Sequence, residues 1–132
     1  MHNRWRDATT RGDIDKVRLL LTDGADVNAK DKFSQTALMY SSRVGNIDLV
    51  RLLVESGADL NITAKYNLSA LMLAVINEHP EVVRFLITAG ADLTIRGGNG
   101  AIGFYDKTAL VLAKERAQEL VINLLEEAGA TE

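Results

Sequence analysis

Three stretches set apolar residues at helical spacing among polar ones: "IDKVRLLL" from Ile14, "IDLVRLLV" from Ile47 and "PEVVRFLI" from Pro80. Val17, Leu20 and Leu21 recur three and four positions apart, as do Val50, Leu53 and Val54, so each stretch predicts a helix with one apolar face. Gly24, Gly57 and Gly90 close these helices. A shorter helix is expected before each. Its apolar residues are Ala37, Leu38 and Tyr40 in one copy and Ala70, Leu71, Leu73 and Ala74 in the next. Asn3, Thr36, Ser69 and Thr108 stand where such helices open, and all four are residue types that accept a hydrogen bond from an unpaired backbone N–H. Gly12 and Gly45 can end the first two short helices in the left-handed conformation. Glu78 holds the same place in the third copy, where a left-handed backbone costs about 1 kcal/mol.

The elements repeat as a unit. Gly24, Gly57, Gly90 and Gly129 lie 33, 33 and 39 residues apart, and Thr36, Ser69 and Thr108 lie 33 and 39 apart. Both series carry the same excess of six residues, which places an insertion between Gly90 and Thr108. A period of this length marks a stack of supersecondary modules, each too small to bury its own apolar face. The end modules must then differ from the inner ones. Glu126 stands where Leu21, Val54 and Ile87 stand, and Glu119 where Ile47 stands, while Trp5 replaces Leu38 and Leu71. Charges at one end and a large ring at the other suit surfaces that no further module covers. Ala117 takes the place of Gly45, so "TALVLAKERAQELVINLLEE" reads either as two helices or as one continuous helix.

"LLLTDGADVNAKD" and "LLVESGADLNITA", with "TALMYS", "SALMLA" and "TALVLA" where the family carries Thr-Pro-Leu-His-x-Ala, resemble ankyrin repeats. The resemblance implies a mainly α solenoid of helix-turn-helix pairs with β-hairpin or loop fingers. It covers residues 1–132 as one domain of four units, near 1–30, 31–63, 64–96 and 97–132, the first and last acting as caps. The insertion falls in the finger between 95 and 107. Ala37, Ala70 and Ala109 replace the family's Pro, and Met39, Met72 and Val111 its His, so the usual His bonds between repeats are not expected and helix packing must carry more of the cohesion.

Composition adds exclusions. The 132 residues are 47% apolar and 25% charged, ordinary for a globular chain. There is no Cys, hence no disulfide and no thiolate metal site, and His2 and His79 alone make no ligand cluster. The net charge is −3, with the second half more acidic than the first, which argues against nucleic acid as a partner. No apolar run reaches the roughly 18 residues of a membrane span, and "MHNRWRDATT" lacks the apolar core of a signal peptide. A monomeric cytoplasmic protein is the expectation.

Candidate chemistry is sparse. "GNGAIG", Gly98 to Gly103, spells the glycine pattern of dinucleotide-binding loops. It lacks the strand before it, the helix immediately after it and the acidic residue about 20 positions on that the function requires. A small-molecule or nucleotide-binding accessory using the loop at 97–103 is kept as the alternative. The serines have no paired base, and Asp26, Asp59 and Asp92 recur at the repeat period as loop formers, about 10 Å apart along the stack. No catalytic residue, cofactor or metal ligand is assigned. The resemblance instead implies binding of another protein on the face made by the fingers and inner-helix ends. The positions carried over are Lys32, Phe33 and Gln35; Lys65, Tyr66 and Leu68; Phe104, Tyr105 and Lys107; and, on the helices, Arg43, Ile76 and Arg116. Phe33, Tyr66 and Tyr105 share one repeat position and are expected to form an aromatic row. The lysines beside it would favour a partner with acidic and apolar surface. The longer third finger is expected to reach past the row and clasp a ligand, with help from Arg96.

Overall fold

The structure is a computed structural model and describes residues 2–100 and 103–132. Among them are eight α-helices and one short 3-10 turn. The helices come in four pairs: α1 (Asn3–Arg11) with α2 (Ile14–Thr22), α3 (Ala37–Val44) with α4 (Ile47–Glu55), α5 (Ala70–Ile76) with α6 (Pro80–Thr88), and α7 (Ala109–Glu115) with α8 (Glu119–Glu127). The first helices pack in a row, α1 on α3 on α5 on α7, and the second helices in a parallel row, α2 on α4 on α6 on α8.

The core runs along the seam between the rows. Val17, Leu49, Val50, Leu53, Val82, Val83, Leu86, Val121 and Leu125 fill it from the outer row, and Leu38, Met39, Leu71, Met72, Leu110 and Leu112 from the inner. Small buried residues, Ala37, Ser41, Ala70, Ala74, Ala109 and Ala113, sit between successive inner helices and permit their close approach. Trp5 is only 2% exposed, so its ring is built into the first pair and does not lie over an open edge. Its indole Nε1 finds no hydrogen-bond partner among the described residues. At the other end Glu119 and Glu126 are exposed on α8, where nothing packs beyond them.

The helix ends follow local chemistry. Thr36, Ser69 and Thr108 accept from the N–H groups of Met39, Met72 and Val111 at 3.3, 3.2 and 3.3 Å. Asn3, expected to be the first cap, is instead the first helical residue. His2 is extended there, and its Nδ1 accepts from Arg4 N at 3.2 Å. Gly45 ends α3 with φ +77°. At the equivalent positions Glu78 has φ +60° and Ala117 φ +52°, so the last unit is a broken pair, its turn made in left-handed backbone that an L-residue adopts only at a cost.

Two polar ladders tie neighbouring units. In the fingers' base, the side-chain carbonyl of Asn28 accepts from Asp59 N at 2.7 Å and that of Asn61 from Asp92 N at 2.8 Å. Asp26, Asp59 and Asp92 each accept from the N–H two residues on, at 2.9, 2.9 and 2.8 Å, which makes them turn formers. The second ladder replaces the histidine bonding that the repeat motif lacks. His79, just before α6, reaches the carbonyl of Arg43 at 2.9 Å; a carbonyl can only accept, so Nε2 carries the proton. Gln118, just before α8, donates to Val75 O at 2.9 Å. The fingers are loops in the expected hairpin shape, and no strand forms among the described residues, which contain only an isolated bridge between Gly97 and Tyr105.

Two opposite substitutions test this account of the turns. Ala117→Gly relieves left-handed strain and is expected to raise stability by about 0.5–1 kcal/mol. Gly45→Ala puts a methyl into the His79 ring and is expected to cost about 2 kcal/mol or more. Urea unfolding followed by circular dichroism measures both.

Candidate functional site

Three fingers and two inner helices enclose a groove of about 540 Å³. Ala64, Leu68 and Leu73 give it an apolar floor, and Phe33, Tyr66 and Phe104 stand around it, with Tyr40 and Arg43 from α3. Phe33 is 58% and Tyr66 38% exposed. Large apolar rings held in the open on a folded backbone are the material of binding hot spots, since they lose little entropy on contact.

Each finger is shaped by a few bonds. In the first, Asp31 N donates to Gln35 O and Ser34 N to Asp31 O, both at 3.0 Å, with Ser34 left-handed at φ +61°. The Asp31 carboxylate fills the loop: Oδ1 accepts from Phe33 N at 2.8 Å and Gln35 N at 2.9 Å, and Oδ2 accepts from the Tyr40 hydroxyl. Burial raises the carboxyl, but the bonds from Tyr40, Gln35 and Phe33, with the charge of Arg6, outweigh it and hold Asp31 below the ordinary value of 3.8. Tyr40 moves the other way, pushed up by burial and by its bond to the Asp31 anion, and so stays a phenol donor. The second finger closes with Ala64 N to Leu68 O and Asn67 N to Ala64 O, both at 3.0 Å, and the third with Gly97 N to Lys107 O at 3.0 Å.

Seven of the positions expected from sequence line the one groove: Phe33, Gln35, Arg43, Lys65, Tyr66, Leu68 and Phe104. Lys32, Ile76, Tyr105, Lys107 and Arg116 do not. Lys32 lies over the Phe33 ring and Lys65 over the Tyr66 ring, each 5.1 Å from the centroid. Arg116 lies 6.0 Å from the Phe104 centroid. Ile76 packs against the core. Tyr105 is 59% exposed but outside the groove, and its neighbour Phe104 takes the place beside Tyr66. The third lysine adds no free charge to the rim, because Lys107 Nζ pairs with Glu115 at 2.7 Å. Tyr40 and Leu73 were not anticipated as groove residues. They share one repeat position on the inner helices with Asp7 and Leu112, and Tyr40 is the only aromatic residue there, which was the available signal.

The inserted segment does not reach outward where it is described. Gly98 N donates to Tyr66 O at 2.6 Å, and Asn67 Nδ2 to Arg96 O at 2.9 Å, so the segment folds back on the second finger. Gly100 lies against the Tyr66 ring, where an added Cβ would come within 3.5 Å. Arg96 is spent on the same fold, donating to Asp106 O at 2.9 Å and Glu132 O at 3.1 Å. In a phosphate-binding loop the amides face the ligand; here the first glycine of the pattern, Gly98, gives its amide to Tyr66 O, as Gly97 before it does to Lys107 O, and Ala101 and Ile102 of the glycine-rich string lie outside the described residues. No group of three or more His, Cys, Asp or Glu side chains gathers to hold a metal among the described residues. Nor is any helix long and apolar enough to cross a membrane.

The Asp31 bonds set a pH dependence. A carboxyl depressed in the folded state stabilises the fold above its unfolded value near 3.8 and loses that contribution as pH falls through the lower folded value. Asp31→Asn is therefore expected to lower stability by about 1 kcal/mol at neutral pH, with the difference from wild type shrinking below about pH 4. Thermal unfolding of both proteins across pH 2–7 reads the trend, and an Asp31 titration midpoint at or above 3.8 by NMR would contradict it.

Comparison with known families completes the picture of stacked helix pairs, finger loops and cross-unit asparagines. A family model described as ankyrin repeats (3 copies) matches residues 6–97, which is 92 of the 132 residues. No curated protein sequence matches the chain. Ankyrin repeats are in general modules of protein–protein interaction and are typically non-catalytic. The sequence motifs, the stacked architecture and the family match agree: this chain belongs to the ankyrin repeat family.

Proposed function

We propose that the chain is a non-catalytic binding module that captures another protein in the groove between its fingers and inner helices. The observation that carries this reading is the groove's surface: exposed Phe33 and Tyr66, with Phe104, over a floor of Ala64, Leu68 and Leu73. An open apolar surface of this kind costs solubility unless something covers it. The rings stand on loops closed by internal hydrogen bonds, which lowers the ordering entropy lost when a partner docks. Among the described residues, Lys65 and Arg43 are the only charged ones lining the groove, which suits a partner whose apolar contact is bordered by acidic residues. The module works as a monomer, since the groove is complete within one chain.

Nothing favours the nucleotide reading over this one. The segment with the glycine pattern spends its described amides at Gly97 and Gly98 on the chain's own carbonyls.

Phe33→Ala and Tyr66→Ala are each expected to weaken partner capture about tenfold or more, the loss of a hot-spot ring. Quantitative pulldown by mass spectrometry, with thermal unfolding to show both variants folded, makes the comparison. Undiminished capture by the double variant, or a thermal shift with nucleotide that Gly98→Ala removes, would displace this function.

A further inference from the structure

Charge around the groove is distributed in one way only. Among the described residues Arg43 and Lys65 line it and no carboxylate does, although the whole chain has a net charge of −3. Asp31 is the acid of the first finger, and both its oxygens are occupied by Tyr40, Phe33 and Gln35. Lys107 and Glu115, at the third finger, cancel each other.

Arg43 is not matched in this way. Half-buried beside the apolar floor, it forms no salt bridge with any described residue. A guanidinium carries five N–H donors, and this one gives a single side-chain bond, from Nη2 to Gln35 Oε1 at 3.0 Å. Its plane is steadied by the Tyr40 ring, whose centroid is 5.5 Å away, and that ring is fixed in turn by the Tyr40 hydroxyl on Asp31. A half-buried cation held in place with most of its donors unspent is a poor structural element and a good receptor, because a planar fork matches a carboxylate in two parallel bonds. No other repeat carries a cation at this position: Thr10, Ile76 and Glu115 occupy it.

Resting on the docking function above, we infer that Arg43 is the specificity-determining residue of the groove. It receives an Asp or Glu side chain of a partner segment whose adjacent aromatic or aliphatic residue seats against Phe33 and Tyr66. The occupant is thus an acidic–apolar peptide segment of another protein. The acidic residue sits at the α3 side, and the rest of the segment runs toward Phe104, where Lys107 is already paired with Glu115.

A random peptide library displayed on phage, selected against the full chain, supplies the probe. The peptides recovered are expected to pair an acidic residue with an adjacent aromatic or aliphatic one. By isothermal titration calorimetry, Arg43→Gln should weaken them about tenfold or more, the loss of a charge-assisted bond. Arg43→Lys should restore only part of the loss, because an ammonium cannot fork. Arg43→Glu should bind the peptide whose acidic residue is replaced by Lys, and Arg84→Gln, on the outer row, should change nothing. Peptides that need Phe33 yet are indifferent to Arg43→Gln and carry no acidic residue overturn the assignment of Arg43 while leaving the docking function intact. Recovery of no peptide sensitive to Phe33→Ala overturns both. Thermal unfolding of each variant separates lost binding from lost fold.

Discussion

No helix pair in this chain can bury its own apolar face, and every other property follows from the remedy, which is contact with the next pair. Leu49, Val50 and Leu53 of α4 are fully covered because α2 and α6 flank the contact that α4 makes with α3, and the alanines and Ser41 of the inner row let the backbones come close enough to exclude water. The groove is a product of the same stacking. Its lining comes from three fingers and from α3 and α5, so no single unit owns it. A fault in the register between units would dismantle the site before it unfolded the chain.

Polar groups keep that register. Apolar faces tolerate sliding, whereas a hydrogen bond of 2.7 or 2.8 Å from Asn28 to Asp59 or from Asn61 to Asp92 fixes one finger base against the next. His79 and Gln118 do the same on the opposite side of the inner row, each reaching a carbonyl near the end of the preceding inner helix. The Arg43 carbonyl belongs to a helix terminus that would otherwise have to find water, whereas Val75 O also accepts from Glu78 N at 3.1 Å. Both bonds set the spacing of the stack.

Much of what is periodic in this chain was legible in the sequence, with Asn3 an exception because His2 takes its capping role. Thr36, Ser69 and Thr108 read as caps, and Gly12 and Gly45 as helix ends, because their roles depend on a few neighbouring backbone groups. The break at Ala117 stayed undecided from sequence, since a left-handed alanine is a tertiary compromise that local propensity does not announce. The site was legible in part. Phe33 and Tyr66 sit in unbroken periodicity and share the groove, but beyond the insertion equivalence fails, and Phe104 takes the role that counting assigns to Tyr105. Pairings between unlike positions, Lys107 with Glu115 or Tyr40 with Asp31, leave no periodic trace and emerge only in three dimensions. The replacement of the missing motif histidines by His79 and Gln118 is of the same kind.

The backward fold of the inserted segment also has a mechanical side. A solenoid flexes like a spring, with compliance shared among its joints. Here the second and third fingers are sewn together by Gly98 on Tyr66 and Asn67 on Arg96, and Arg96 fastens both to the terminal carbonyl of Glu132. The joint between the first finger and the second is held at its base by the Asn28 bond to Asp59, so a bend that widened the groove would part Phe33 from Tyr66 and leave Tyr66 with Phe104.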